Sequence, residues 1–367
     1  MLRELIFPVL LAIEILYLPV CAGVSCKDEA GKIVDWWILY KLPKRESMDP
    51  WHEKNSLEEY LYEGLAYVYL TSNLPDHRWT LSQLSVGDEK SMPGRTLEDL
   101  YQEDPDPDLF NVMYNDEHPH GPTSFTRGHT KGLLFGDKSD SIWLIHSVPH
   151  YPPFPNESYA YPHTGQRYGQ TAMCISLDTT NLDTVGKQLT FNNPFIYSTG
   201  IPEWLTQYPK MVEASKGHHV KEAPYFNTEV IKSKQGETFT TFAKFTDFGK
   251  DLYADLVAPM LRVPLLVETW PNGPGKMPSR CDSPFIVENV DEMDFPEIQD
   301  DDFTTRHDHA KWAISLDSKK PYVCIGDINR MDTQRKRGGG TACFTNYNVW
   351  KTFKKSIKAI ETCPGRF

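Results

Sequence analysis

Apolar residues in this chain come in short runs bounded by polar and turn-forming residues, the pattern of a protein built mainly on strands. Residues 33–42, with Trp36, Trp37, Ile38, Leu39 and Tyr40, predict one strand. Residues 132–135 and 142–147 predict two more, joined by a turn at 136–140. Residues 239–245 alternate aromatic and polar positions, as a strand with one buried face does, and 323–328 predict a further strand. Residues 350–360 have helical spacing with lysines on one face. Two acidic stretches, 103–108 and 288–302, predict solvated loops. The 28 prolines favour long loops between strands over a helical bundle.

The N-terminus carries a different signal. Arg3 precedes a nearly continuous apolar run from Leu5 to Leu18, and Val20-Cys21-Ala22 follows, which predicts a signal peptide over residues 1–22. The run is too short, and too interrupted by Glu14, for a membrane span. The mature chain is therefore expected to be a soluble protein of the lysosome or the exterior. The six later cysteines, Cys26, Cys174, Cys281, Cys324, Cys343 and Cys363, suit three disulfides in an exported chain, and no C-x2-C spacing points to zinc. Asn156-Glu157-Ser158 is the one glycosylation sequon, in a proline-rich stretch.

Charge alone speaks against a polyanionic partner, since the formal net value is −12, or −11 once Arg3, Glu4 and Glu14 leave with residues 1–22. The 12 histidines alter that. All protonated, they would bring the mature chain to about +1, so an acidic medium removes the net repulsion.

One internal similarity bears on chemistry. His129-Thr130-Lys131 and His309-Ala310-Lys311 are each followed by a turn and an apolar strand, which suggests two similar halves related by a pseudo-two-fold. On a strand, His and Lys two residues apart share a face. Two such pairs can surround one phosphodiester. The lysines neutralise the charge that builds on its oxygens. One neutral imidazole attacks phosphorus, and the other, protonated, supplies the leaving oxygen with a proton. Each motif alone is only a surface H-x-K, and the pairing gives it weight. His307 with His309 could hold a metal, but His129 has no matching upstream histidine. His146 stands at the end of the strand beside the first motif and is an active-site candidate. His218 and His219 lie outside both motif copies, with a surface role as natural as a functional one. Trp312 fits a core position better than a base-stacking one. The glycines of Arg337-Gly338-Gly339-Gly340 form no Walker loop, and allow either close backbone approach or a tight turn.

Longer stretches resemble the deoxyribonuclease II family. They include Tyr114-Asn115-Asp116, Arg127-Gly128-His129-Thr130-Lys131-Gly132, Ile145-His146-Ser147-Val148-Pro149, Lys216-Gly217-His218-His219-Val220, Asp308-His309-Ala310-Lys311-Trp312 and Gly326-Asp327-Ile328-Asn329-Arg330. Together the matching stretches cover roughly residues 26–363. The resemblance implies an α/β phospholipase D-like fold: a signal peptide (1–22), an N-terminal half (23–190) with the first H-x-K and a C-terminal half (191–367) with the second. It implies cleavage of double-stranded DNA at acid pH to 3′-phosphate ends, with no cofactor and no metal, through phosphate contacts of low sequence specificity. His129, Lys131, His309 and Lys311 are then catalytic. Asn329 holds phosphate in the second half, where the first half has Ser147 and Pro149, and His146 takes over part of that task. His129 as nucleophile and His309 as general acid is the chosen assignment, with the reverse nearly as good. The resemblance further implies Cys26–Cys174, Cys281–Cys363 and Cys324–Cys343. A phosphodiesterase of the same fold acting on RNA or phospholipid, and a DNA-binding protein without turnover, are the alternatives. The sequence is silent on oligomeric state.

Overall fold

The computed structural model describes residues 23–45, 54, 56–295 and 302–365. The predicted signal segment, residues 1–22, lies outside the described residues. No helix among them is long and apolar enough to cross a membrane.

Two sheets organise the chain. The first contains β1 (Trp36–Lys41), β2 (Tyr67–Thr71), β3 (Thr80–Leu81), β4 (Phe110–Asn115), β5 (Lys131–Gly136), β6 (Asp140–His146), β7 (Gln170–Asp178) and β8 (Ile196–Gly200). Its order is β3-β2-β1-β7-β6-β5-β4-β8, antiparallel throughout. The second contains β9 (Phe226–Lys232), β10 (Thr238–Lys244), β11 (Leu265–Thr269), β12 (Val287–Asp294), β13 (Asp302–Thr304), β14 (Lys311–Ser315), β15 (Tyr322–Gly326), β16 (Gly339–Thr345) and β17 (Ile357–Glu361). Its order is β13-β12-β11-β14-β15-β16-β10-β9, with β17 on β12, and β11–β12 is a parallel pair in an otherwise antiparallel sheet. The first sheet takes its last strand, β8, from beyond residue 190, and the helix Leu182–Asn192 runs across that point.

β1, β5, β6 and β7 are buried on both faces, which explains why their sequences read as unbroken apolar runs rather than alternation. One face of each sheet turns inward. Trp36, Ile38, Tyr40, Leu134, Trp143 and Ile175 of the first meet Leu266, Trp312, Ile314, Val323 and Phe344 of the second in one shared core. Trp36 and Phe344 touch directly across it, ring centroids 5.2 Å apart. Trp312 is fully buried there.

Two sequence expectations change. The helix begins at Tyr347 and stops at Lys355, and residues 357–361 are strand β17. Ser356 closes the helix, its N–H reaching Thr352 and Phe353 carbonyls, and Ile360 and Ile357 then pair with Val290 and Met293 of β12. The helix-like spacing of the apolar residues therefore served two successive elements. The acidic stretch from residue 288 begins as strand β12, in which Val287, Val290 and Met293 are core residues. Glu288 is buried there because its carboxylate accepts the Cys363 N–H at 2.8 Å. Residues 102–107 are exposed, as expected of a loop.

The three disulfides are Cys26–Cys174, Cys281–Cys363 and Cys324–Cys343. Cys324 and Cys343 face each other in the β15–β16 register. Cys26–Cys174 ties the start of the described chain to β7 across 148 residues. Closing a loop of that length is worth about 5 kcal/mol in the chain-entropy model. The pair Cys26→Ser and Cys174→Ser is expected to lower the thermal midpoint more than any single surface substitution. An unchanged melt would refute this.

Candidate active site

Each H-x-K motif enters a strand at its lysine. Lys131 opens β5 and Lys311 opens β14, so each histidine lies just outside the sheet and shares a face with its lysine. The two motifs are held by exchange between the halves. The His129 N–H donates to the Gly338 carbonyl, and the His309 N–H donates to the Gly169 carbonyl, both at 2.8 Å. Gly338 precedes β16 and Gly169 precedes β7. A β-carbon on Gly338 would stand 2.1 Å from the Asn192 carbonyl oxygen, and one on Gly169 would stand 2.3 Å from the Asp308 carboxylate. The glycine run therefore serves close backbone approach.

Two buried lysines fix the loops that supply these carbonyls. Lys41, at the end of β1, donates to the carbonyls of Gln166, at 2.7 Å, and Tyr168. Lys244, at the end of β10, donates to those of Gln334, at 2.9 Å, Arg335, at 3.1 Å, and Arg337. Burial lowers both, Lys244 to about 7.

His129 and His309 differ in their partners. The Nδ1 of His129 lies 2.9 Å from Asp116 Oδ2, and the same carboxylate receives Lys131 and, at 3.0 Å, Arg337. Burial alone would raise Asp116, but Lys131, His129 and Arg337 outweigh it and hold the carboxyl well below its ordinary value. An ionised carboxylate on Nδ1 keeps the ring proton there and leaves the lone pair on Nε2. Asn329 reaches that nitrogen from the other half, its Nδ2 3.5 Å from His129 Nε2. The Nδ1 of His309 faces the Ser147 carbonyl at 3.0 Å and Gln170 Oε1 at 3.2 Å, and Trp270 meets the ring edge-on. Lys311 folds against its own histidine, 2.8 Å from Nδ1.

Strand register makes this asymmetry concrete. Asn115 pairs with Lys131 between β4 and β5, as Thr269 pairs with Lys311 between β11 and β14. The next residues are therefore equivalent, and they are Asp116 and Trp270. One histidine has a carboxylate where the other has an indole.

All four motif side chains are buried and sense one another. Burial and Lys131 push His129 down to about 4, against the pull of Asp116. Burial, Lys311, Lys131 and His129 push His309 well below its ordinary value, and burial with Lys131 does the same to Lys311. His146 is fully buried beside them: burial, Lys131 and Lys311 all disfavour its charge. Its Nδ1 accepts the Val148 N–H at 3.2 Å, and Nε2 has no partner among the described residues. His307 is exposed while His309 is buried, and no cluster of three or more His, Cys, Asp or Glu suited to a metal occurs among the described residues. Asn156 is exposed in a turn. Sequence reasoning did not single out Asp116, Arg337, Gln170 or Trp270, because only tertiary register brings them to the motifs.

Two further carboxyls cross between the halves. Asp327 accepts from the Thr130 hydroxyl and the Gly340 N–H, and burial raises it to about 7. Asp308 accepts from the Tyr40 hydroxyl and the Ala310 N–H, and burial raises it to about 6. A raised carboxyl binds its proton more tightly folded than unfolded. Its contribution is fully present below the unfolded value near 3.9 and is lost as pH rises through the folded one. The lowered histidines act in the opposite sense, so the test is differential. Between pH 5 and pH 7.5 the wild type should lose about 2 kcal/mol relative to Asp327→Asn, whose side chain does not titrate. Parallel stability–pH curves for the two proteins would sink this.

Two imidazoles and two ammonium groups gathered from two sheets can neutralise, attack and protonate a phosphodiester, the chemistry of a phosphodiester hydrolase. Comparison with known proteins narrows the class. The family profile described as Deoxyribonuclease II matches residues 25–363. Deoxyribonuclease-2-alpha of Rattus norvegicus is 36% identical over 361 residues, covering 96% of this chain and 98% of the relative. Deoxyribonuclease-2-beta of Homo sapiens is 36% identical (93% and 92% covered), and Plancitoxin-1 of Acanthaster planci 35% identical (93% of each). The chain belongs to the deoxyribonuclease II family.

Proposed function

We propose that this chain is an acid endodeoxyribonuclease that hydrolyses double-stranded DNA to 3′-phosphate fragments through a phosphohistidine on His129. The halves are read as a phospholipase D-like pseudo-dimer around one active site. The observation that supports the reading is the exchange of backbone hydrogen bonds, His129 to Gly338 and His309 to Gly169, which ties each H-x-K motif to a loop of the other sheet.

Two displacements at phosphorus complete the reaction. In the first, Nε2 of His129 attacks phosphorus, the bond to the 5′ oxygen breaks, and His309 gives that oxygen a proton. His309 then takes a proton from water, the oxygen of that water attacks phosphorus, and the P–N bond breaks to release the 3′-phosphate. Lys131 and Lys311 face the non-bridging oxygens. A bound phosphodiester adds the negative charge that raises both imidazoles, letting His309 hold its proton. Asp116 favours His129 as nucleophile, since a carboxylate on Nδ1 stabilises the positive ring of the intermediate. His309, with no carboxylate on its ring, is the stronger acid once protonated. His146 and Asn329 are assigned to phosphate binding or support.

Residues 1–22, the disulfides and the Asn156 sequon support the secretory route, with action in lysosomes or outside the cell on DNA of dying or engulfed cells. Plasmid incubated at pH 5 with EDTA tests the core of the reading. Fragments with 3′-phosphate ends are expected, and uncut plasmid would overturn it.

A further inference from the structure

Beside His129 the surface opens into a groove of about 650 Å³, lined by Thr126, Arg127, His219, Lys221, Phe245 and neighbouring residues. Arg127 also borders a second hollow of about 300 Å³ whose rim includes Lys216. The groove adjoins the catalytic strand: Arg127 lies two residues before His129, and the Gly128 N–H donates to the Asn193 carbonyl at 2.8 Å. Arg127 is fixed by Nη1, which donates to Asn193 Oδ1 at 2.9 Å and the Gly217 carbonyl at 3.3 Å. Its Nη2 and Nε have no protein partner among the described residues. Neither Arg127, Lys216 nor Lys221 pairs with a carboxylate among them, although nearby Lys187 and Lys210 both do. In a chain of net charge −12, the groove thus gathers cations whose charge no carboxylate partner among the described residues offsets. Asp247 is the only carboxylate in the lining.

Two aromatic features add to this. The exposed His219 ring, which lines the groove, lies flat on Phe245, centroids 5.2 Å apart and planes 8° apart. Phe125, next to the lining residue Thr126, is 81% exposed, the most exposed large apolar side chain among the described residues. Its loop is not loose. Arg337 Nη2 binds the Ser124 and Arg127 carbonyls at 2.8 Å each, and the Ser124 N–H donates to the Asp116 carbonyl at 2.7 Å. A fixed backbone thus presents an apolar ring to solvent beside a cationic groove, the combination by which proteins track a nucleic-acid strand without reading its sequence.

We propose that this groove is the subsite for the DNA strand next to the scissile bond: Arg127, His219 and Lys221 take a flanking phosphate, and Phe125 stacks on a base. The inference rests on the nuclease reading above and adds to it where the substrate extends. Its ligand is a DNA strand, recognised by phosphate and base face.

The test compares long duplex DNA with thymidine 3′-(4-nitrophenyl phosphate), which reaches the catalytic groups but not the groove. Lys221→Ala combined with His219→Ala, and separately Phe125→Ala, should lower kcat/KM on DNA relative to the small diester, by about tenfold for each stacking or phosphate interaction removed. In the Lys221/His219 variant the dependence of log KM for DNA on log salt should also flatten by about one unit per phosphate released, a change that mere destabilisation would not cause. Lys221→Arg should restore the slope, and Lys319→Ala, on the distant β14–β15 turn, should leave the ratio as in wild type. A wild-type substrate ratio and salt slope in both variants would overturn the groove. Wild type inert toward both substrates would overturn the nuclease reading itself, a result the variants could not mimic.

Discussion

Replacing His129 with alanine is expected to abolish reaction of every phosphodiester, whereas replacing His309 should spare the first displacement on those with a good leaving group. With plasmid DNA both variants should fall steeply. His129→Ala should lose about 10⁴-fold or more, since in the proposed mechanism no other side chain supplies the bond to phosphorus. His309→Ala should lose on the order of 10²–10⁴-fold, the usual share of a general acid. On a 4-nitrophenyl ester the leaving oxygen departs without a proton, so His309→Ala should recover most of its first step while His129→Ala stays inert. The slow second step in His309→Ala, which lacks the group that activates water, should let a phosphohistidine accumulate for mapping. Label on position 129 is the expected result. The reverse pattern, with His129→Ala rescued by the activated ester, would exchange the two roles. The geometry behind the assignment is one difference in register: Asp116 on one ring, Trp270 against the other.

Much of the fold was legible because apolar runs and turns are local signals. The strands at 131–136, 140–146, 238–244 and 322–326 fall where periodicity put them. Errors arose where one pattern served two elements. Residues 350–360 kept apolar spacing through a helix and then a strand, and only the cap at Ser356 marks the change. Glu288 looked like part of a solvated loop because its partner, the Cys363 backbone, is distant in sequence. The H-x-K pairs were legible for the same local reason, since their spacing alone puts both groups on one face. Asp116 was not. It precedes His129 by 13 residues across a long loop, and nothing in that interval announces a contact. Lys41 and Lys244 were equally hidden: each closes a strand, and only the folded chain shows both anchoring the loops whose carbonyls hold the opposite motif.

Asp116→Asn should therefore be nearly as damaging as loss of a catalytic histidine, while leaving substrate affinity largely intact. In the proposed mechanism Asp116 does not touch phosphate and is a positioning residue that acts through His129. The amide is nearly isosteric, so packing around the buried site is retained, but two electrical effects vanish. An Asn NH2 can donate to Nδ1, which moves the imidazole proton to Nε2 and removes the attacking lone pair, and no charge remains to stabilise the ring once it bonds to phosphorus. A kcat lower by roughly 10²–10⁴-fold with KM changed little is the expected signature, by analogy with a serine-protease triad whose aspartate is made asparagine. Lys131 and Arg337 also lose their shared counter-charge. Removing one partner of a buried ion pair can cost about 3–5 kcal/mol, so the melting midpoint should be measured beside the kinetics. If the variant remains folded at the assay temperature, the stability loss cannot produce a kcat defect at saturating DNA. A folded Asp116→Asn enzyme with near-normal kcat would show that His129 does not depend on the carboxylate, and would remove the main reason for placing the nucleophile in the first half.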